Sequence, residues 1–323
     1  MDVSRYLGKR TWLVAGATAL IGWRVFRRSR AANFHDKVAL VTGGSRGLGL
    51  YLAQELGRQG CKVAICARDQ RELEAARQDL SERGIEVVAV RCDVQEPAEV
   101  HALVHHVTAR FGRIDIVVNN AGLIQVGPLE NMTVLDFERA MTSNFFGGVN
   151  VTLAVLPQMR ERKDGRIVNI TSIGGKVAMP HLLPYDCAKF AALGFSEGLR
   201  AELAGAGITV TTVVPGLLRT GSAQHAFFKG EREQELAWFS TLDNFPLSAM
   251  SVRRAARQIV QAVRQGEAEV TLSWPAKVLR TFHALFPGLT TDLLAQVNRV
   301  LPKSTGDGRL PLRGTTLTPH PQS

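Results

Sequence analysis

The chain has 323 residues, of which 45% are hydrophobic and 21% charged, so it can bury a real core in one large domain with appendages. Its net charge of +10 is uneven: residues 1–35 hold seven basic side chains against one acid, Asp2, while the central body is nearly neutral. A nucleic-acid-binding domain carries its basic excess on the folded body, so that class is disfavoured, and a basic end beside an apolar segment points to an anionic membrane surface.

The first feature in chain order is WLVAGATALIGW, Trp12 to Trp23. It imitates a strand running into a glycine turn, but Ala19 stands where the middle glycine belongs and no second strand follows before Thr42. Thr11 to Trp23 is free of charge. At about 1.5 Å per residue it covers ~20 Å, short of a ~30 Å hydrocarbon core. Trp12 and Trp23 lie near its ends, where interfacial tryptophans belong. Residues 1–35 are therefore expected to attach the protein to a membrane, spanning it or lying on it. The arginines from Arg24 to Arg30 would keep the body cytoplasmic. The alternative is a helix packed on the body or on a partner subunit.

From Lys37 short apolar runs alternate with longer mixed segments. KVALVT, KVAIC, EVVAVRCDV, IDIVVNNAG, GRIVNITS and ITVTTVVPG read as six strands. Between them GLYLAQELGRQG, RDQRELEAARQDLSERG and PAEVHALVHHVTARFG read as helices, the first two closed by Gly60 and Gly84 and the third opened by Pro97. Val134 to Arg162 reads as one long helix, and PYDCAKFAALGFSEGLRAELAG as another. Strands apolar throughout and separated by helices predict a doubly wound parallel sheet, a three-layer α/β/α fold of Rossmann type. The domain is expected over 36–272, followed by two amphipathic helices in 273–302 broken at FPG, and a disordered tail over 303–323. The four cysteines, Cys61, Cys66, Cys92 and Cys187, show no metal-type or CxxC spacing and read as reduced thiols.

TGGSRGLG, Thr42 to Gly49, sits between a strand and a helix. Gly43 would let the chain turn, Gly47 would let the backbone approach a pyrophosphate, and Gly49 would let the helix pack closely. Ser45, Arg46 and Leu48 complete the loop, and the helix N-terminus offers free N–H groups to phosphates. A tight turn without a ligand is the plainer alternative. Farther on, YDCAK places Tyr185 and Lys189 four residues apart on one helix face. A phenol with an ordinary pKa of about 10 is a poor acid or base at neutral pH. A cation one turn away stabilises its phenolate.

These motifs together resemble the short-chain dehydrogenase/reductase family, in its compact single-domain branch, over about 240 residues. The resemblance implies further roles. Asp93 and Val94 would contact adenine, and Asn120, Ala121 and Gly122 of NNAG would support the adenine-ribose side. Asn144 would hold a proton-relaying water. Ser172, thirteen residues before Tyr185, would bond the substrate oxygen. Pro215 and Gly216 of VPGLLRT would shape the nicotinamide pocket, and Thr220 would reach the carboxamide or a phosphate. Tyr185 would transfer the proton, and Lys189 would hold the ribose and tune Tyr185. The expected activity is hydride transfer between a nicotinamide dinucleotide and a ketone or alcohol, in a homodimer or homotetramer.

Cofactor choice rests on the tip of the second strand, CARDQ. The NAD-type acid aligns with Ala67, and Arg68 follows it. With Arg46 nearby this favours NADP, with Asp69 as the residue that dissents toward NAD. Phe227, Phe228, Trp238, Phe239 and Phe245 lie where the family carries a lid, which suits a bulky apolar substrate such as a steroid, retinoid or long-chain ketone; the plainer alternative is that they pack the lid onto the body. Two alternatives remain open: a soluble reductase of acyl chains on a carrier protein, and a dinucleotide-binding scaffold without turnover.

Overall fold

Seven parallel strands form the central sheet of the computed structural model, which describes residues 31–244, 249–304, 308 and 310–317. They are β1 (Val38–Thr42), β2 (Lys62–Ala67), β3 (Val87–Arg91), β4 (Ile116–Asn119), β5 (Gly165–Ile170), β6 (Ile208–Val214) and β7 (Glu269–Thr271). Their spatial order is β3-β2-β1-β4-β5-β6-β7. The longer helices are α1 (Gly47–Arg58), α2 (Gln70–Glu82), α3 (Pro97–Phe111), α4 (Val134–Met141), α5 (Gly147–Arg162), α6 (Leu183–Leu203), α7 (Arg232–Asn244), α8 (Val252–Gln265), α9 (Trp274–Leu285) and α10 (Pro287–Asn298).

Every residue of β1 is buried, as a central strand covered on both faces requires. Alternate side chains feed two cores. Val41 and Ile65 pack with Leu52 of α1, Leu73 of α2 and Ile259 of α8. Leu40 and Val117 pack with Leu103 of α3, Val155 of α5 and Leu203 of α6. The expected three-layer fold is therefore present, and the strand order reverses between β1 and β4. A crevice at the carboxyl ends of the strands opens at that switch point.

Three elements differ from the sequence expectation. A seventh strand, β7, extends the sheet, paired with β6 from Glu269↔Thr212 to Thr271↔Val214. The long helix expected over 134–162 contains a π-helical turn, Thr142–Phe146, between α4 and α5. Part of the tail expected to be disordered is ordered: Leu312–Arg313 pairs antiparallel with Phe227–Phe228, which pairs parallel with Gln125–Val126. The two helices broken at FPG are α9 and α10. The Thr11–Trp23 segment, and the membrane attachment read from it, lie outside the described residues. Among the described residues no helix is long and apolar enough to cross a membrane.

Candidate active site

The glycine loop is folded onto the end of β4. Gly43 has φ +63° and Gly47 φ +52°, conformations that favour glycine. Thr42 Oγ1 accepts hydrogen bonds from the backbone N–H groups of Asn120 and Ala121, both at 3.0 Å. Asn120 Nδ2 returns bonds to the carbonyls of Thr42 (2.9 Å) and Gly43 (3.2 Å). The two motifs thus brace each other across the β1–β4 seam. A Cβ on Gly49 would collide with the Gly43 carbonyl and with Asn120. Gly49 does not line the cavity below; it holds the start of α1 close against the glycine loop, the packing role expected of it.

All the other expected site residues line one cavity of about 1010 Å³. That is at or beyond the upper end of the roughly 300–1,000 Å³ typical of pockets for a single small ligand. Ser172 follows β5, and its Oγ accepts from Gly174 N–H at 3.0 Å. That bond leaves the hydroxyl hydrogen for another acceptor. Tyr185 and Lys189 come from the first turns of α6, with Lys189 Nζ 5.6 Å from the centre of the Tyr185 ring.

Lys189 is buried and donates to the Ile170 carbonyl at 3.0 Å. Burial pushes its pKa down to about 8. The ammonium still carries most of its charge at neutral pH. Asn144 sits in the π turn, a frequent companion of functional sites. Its Nδ2 donates to the carbonyls of Leu123 (3.0 Å) and Ala140 (3.1 Å). Its Oδ1 is buried without a protein partner, near the backbone of Gly122, where a Cβ would also stand 3.7 Å from Lys189 Nζ. The long-helix reading put Asn144 on regular helix, whereas the structure puts it in a π-helical bulge.

Residues 37–229 match the family model for short chain dehydrogenases. The chain belongs to the short-chain dehydrogenase family. It is 41% identical over 190 residues to a putative ketoacyl reductase of Streptomyces coelicolor, covering 58% of this chain and 73% of the relative. It is 32% identical over 271 residues to 11-beta-hydroxysteroid dehydrogenase 1A of Arabidopsis thaliana, covering 82% and 76%. An actinorhodin polyketide ketoreductase solved with NADPH superposes with a TM-score of 0.67 at 32% identity, covering 75% of this chain and 97% of that one.

The far end of this dehydrogenase's cavity is rich in arginine. Arg46, Arg68 and Arg313 all line it. Arg46 Nε meets Glu72 Oε2 at 3.2 Å, and Glu72 also accepts from Ser45 Oγ at 3.2 Å. Burial, followed by the charges of Arg313 and Arg68 working against Glu72, lowers the Arg46 pKa. Arg68 lies 3.7 Å from Asp93. Asp69 is engaged elsewhere: its side chain caps α2, accepting from the N–H groups of Arg71 and Glu72. Sequence reasoning missed Glu72 and Arg313. Glu72 is reachable as an acid in the first turn of a helix facing the glycine loop. Arg313 has no local signal, because only the pairing of Arg313 with Phe227 brings the tail there.

Of the expected lid aromatics, Phe227, Trp238 and Phe239 line the cavity, while Phe228 is fully buried beneath. Phe245 lies outside the described residues. Buried polar pairs tie the lid to the body. Lys229 Nζ meets Asp136 Oδ2 at 2.6 Å. Glu235 accepts from Trp238 Nε1 at 2.6 Å and lies 2.7 Å from His181 Nδ1. One further site residue went unread inside YDCAK. Asp186 is buried beside the cavity, and its Oδ2 accepts from Met179 N–H at 2.6 Å. Burial pushes its pKa up to about 8.

Proposed function

We propose that this chain is an NADP(H)-dependent oxidoreductase that interconverts an apolar ketone and its alcohol. The observation that carries this reading is one cavity with Ser172, Tyr185, Lys189 and Asn144 at one end and Arg46, Arg68 and Arg313 at the other. The residues suit a dinucleotide. The glycine loop and the N-terminus of α1 fit phosphates. The arginines fit a 2′-phosphate, and the commitment of Asp69 to capping α2 supports NADP over NAD. The bound nicotinamide would supply or accept the hydride.

The protein's share of the chemistry is proton transfer and positioning. The Ser172 hydroxyl donates to the substrate oxygen, fixing the carbonyl beside Tyr185. Tyr185 gives its proton to that oxygen in reduction and takes one from the alcohol in reverse. The buried ammonium of Lys189 stabilises the phenolate left behind. Its hydrogens beyond the Ile170 bond suit ribose hydroxyls. The unpartnered Oδ1 of Asn144 suits a water that returns the proton from solvent. Assays of steroid, retinoid and long-chain ketones with NADPH and NADH test this reading, and no turnover with any of them would defeat it.

The name of the Streptomyces relative favours a second reading, reduction of a ketoacyl chain carried on an acidic carrier protein. Turnover of carrier-bound thioesters but not of free ketones would select it. The apolar side chains Phe146, Leu153 and Phe190, exposed on the π turn, α5 and α6, support assembly of copies of the chain. Cytoplasmic placement and attachment through residues 11–26 remain part of the proposal, resting on the sequence alone.

A further inference from the structure

The cavity continues past the lid. Its outer wall includes Leu279, Val297 and Leu301. A second cavity of about 460 Å³ shares Trp238 and Leu301 with it and reaches Val300, Pro302 and Lys303. Apart from Trp238 of α7, these residues belong to, or directly follow, the hairpin α9–α10. That hairpin gives little to the core: within its helices only Ala276 and Thr290 are buried.

Its apolar side chains face outward instead. Trp274, Val278 and Leu285 recur at helical spacing on α9, and Leu289 and Leu293 on α10, all 51% exposed or more. Half of the large apolar side chains exposed among the described residues fall within residues 274–300. Patches of this kind mark interaction sites. Lys277, Arg299 and Lys303 stand exposed beside the stripes, and Asp292 is the one acid between residues 274 and 304. An apolar stripe with a basic border matches a helix lying in the headgroup region of an anionic bilayer.

Two other occupants fit less well. A second copy docked through the same face would set one basic border against another. Residues 1–35 of the chain are themselves strongly basic, so they would meet the same repulsion. We propose that the α9–α10 hairpin rests on an anionic lipid surface, and that an elongated lipid-like ketone passes from it between Trp238 and Leu301 to Tyr185. The second half of this proposal rests on the reductase reading; the first does not.

The test uses the full chain and vesicles containing phosphatidylglycerol with brominated acyl chains, which quench a tryptophan that enters the bilayer. Quenching should be greater in the native protein than in the Trp274→Phe variant. Equal quenching in the two would overturn the docking. The Leu289→Glu/Leu293→Glu variant should raise KM about tenfold or more for a long-chain ketone presented in vesicles, as expected when two buried apolar contacts are lost. Its kcat/KM for a short water-soluble ketone should stay within about twofold, because neither residue touches the site.

Equal losses on both substrates, or no change on either, would overturn the entry route. So would a variant that loses only self-association in sedimentation with its vesicle kinetics intact. If the native protein reduces no ketone at all, the reductase reading and the entry route fail together. The Trp274 quenching then still decides the docking.

Discussion

The amide oxygen of Asn144 lies so close to the backbone of Gly122 that no side chain fits between them. Gly122 closes the NNAG motif after β4, and Asn144 comes from the π turn, so this contact fits that motif to the residue proposed to relay protons. Gly122→Ala should push Asn144 away and crowd Lys189. Displacing a catalytic group by about 1 Å can cost on the order of 10²-fold. We expect kcat to fall roughly 10- to 100-fold in this variant, with a normal far-ultraviolet circular dichroism spectrum. Unchanged kcat would remove Asn144 from the mechanism.

Tyr185→Phe removes only the phenol oxygen. General acid–base groups typically contribute about 10²- to 10⁴-fold, so turnover should fall by at least that order. Dinucleotide binding, followed by fluorescence titration, should persist because Lys189 and the glycine loop remain. Residual activity close to the native level would show that another group moves the proton.

The residues legible in the sequence are those whose partners lie within one motif. Thr42, Gly43, Tyr185 and Lys189 are fixed by local geometry at a strand end or along one helical turn, so spacing alone predicts their alignment. What escaped depends on distant chain. Glu72 reaches Ser45 from 27 residues away. Arg313 arrives through a two-residue strand too short to show a pattern. Strand β7 has three residues, fewer than a period-two reading needs. The π turn carries no composition signal, since Thr142 to Phe146 reads as ordinary helix. Asp186 was in plain view, but its burial depends on Gly174 having no side chain where Asp186 Oδ1 lies.

The arginine end of the cavity predicts a selective effect. Hydrogen bonds to charged groups are worth about 1.5–3 kcal/mol, and every 1.4 kcal/mol is about tenfold in affinity. Arg68→Ala and Arg313→Ala should each weaken NADPH roughly 10- to 100-fold while leaving NADH within about twofold. Glu72→Gln removes the counter-charge on Arg46 and should tighten NADPH. Parallel losses for both dinucleotides would show that these arginines organise the loop without reading the 2′ position.

Asp186 should make stability depend on pH. Its folded pKa of about 8 stands above the ordinary value of 3.8. Below pH 4 the acid is protonated whether the chain is folded or not, and its contribution to stability is fully present. Between pH 4 and 8 only the unfolded chain ionises, so stability falls as pH rises. The loss is on the order of several kcal/mol at about 1.4 kcal/mol per pKa unit. Asp186→Asn mimics the neutral acid and should flatten this slope, giving a higher urea midpoint than native at pH 8 and a similar one at pH 4. A slope identical to native would mean that Asp186 is ionised in the fold.

Lys189 sets activity against stability. Its pKa, lowered from 10.5 to about 8 by burial, means that the folded chain holds an ammonium that would rather be in water. The cost is full below pH 8, where both folded and unfolded chains are charged, and it is relieved as pH climbs from 8 toward 10.5. Lys189→Met keeps a flexible apolar stem in place of the lysine chain and removes the charge. The gain at pH 7 should be on the order of 1–3 kcal/mol, reduced by the lost bond to the Ile170 carbonyl. The variant's urea midpoint should therefore exceed the native one at pH 7, and the difference should shrink toward pH 10.5. Turnover should fall about 10²-fold or more, since the phenolate of Tyr185 loses its cation. A lower midpoint at pH 7 would show that the Ile170 hydrogen bond outweighs desolvation and that the site is not held under this strain.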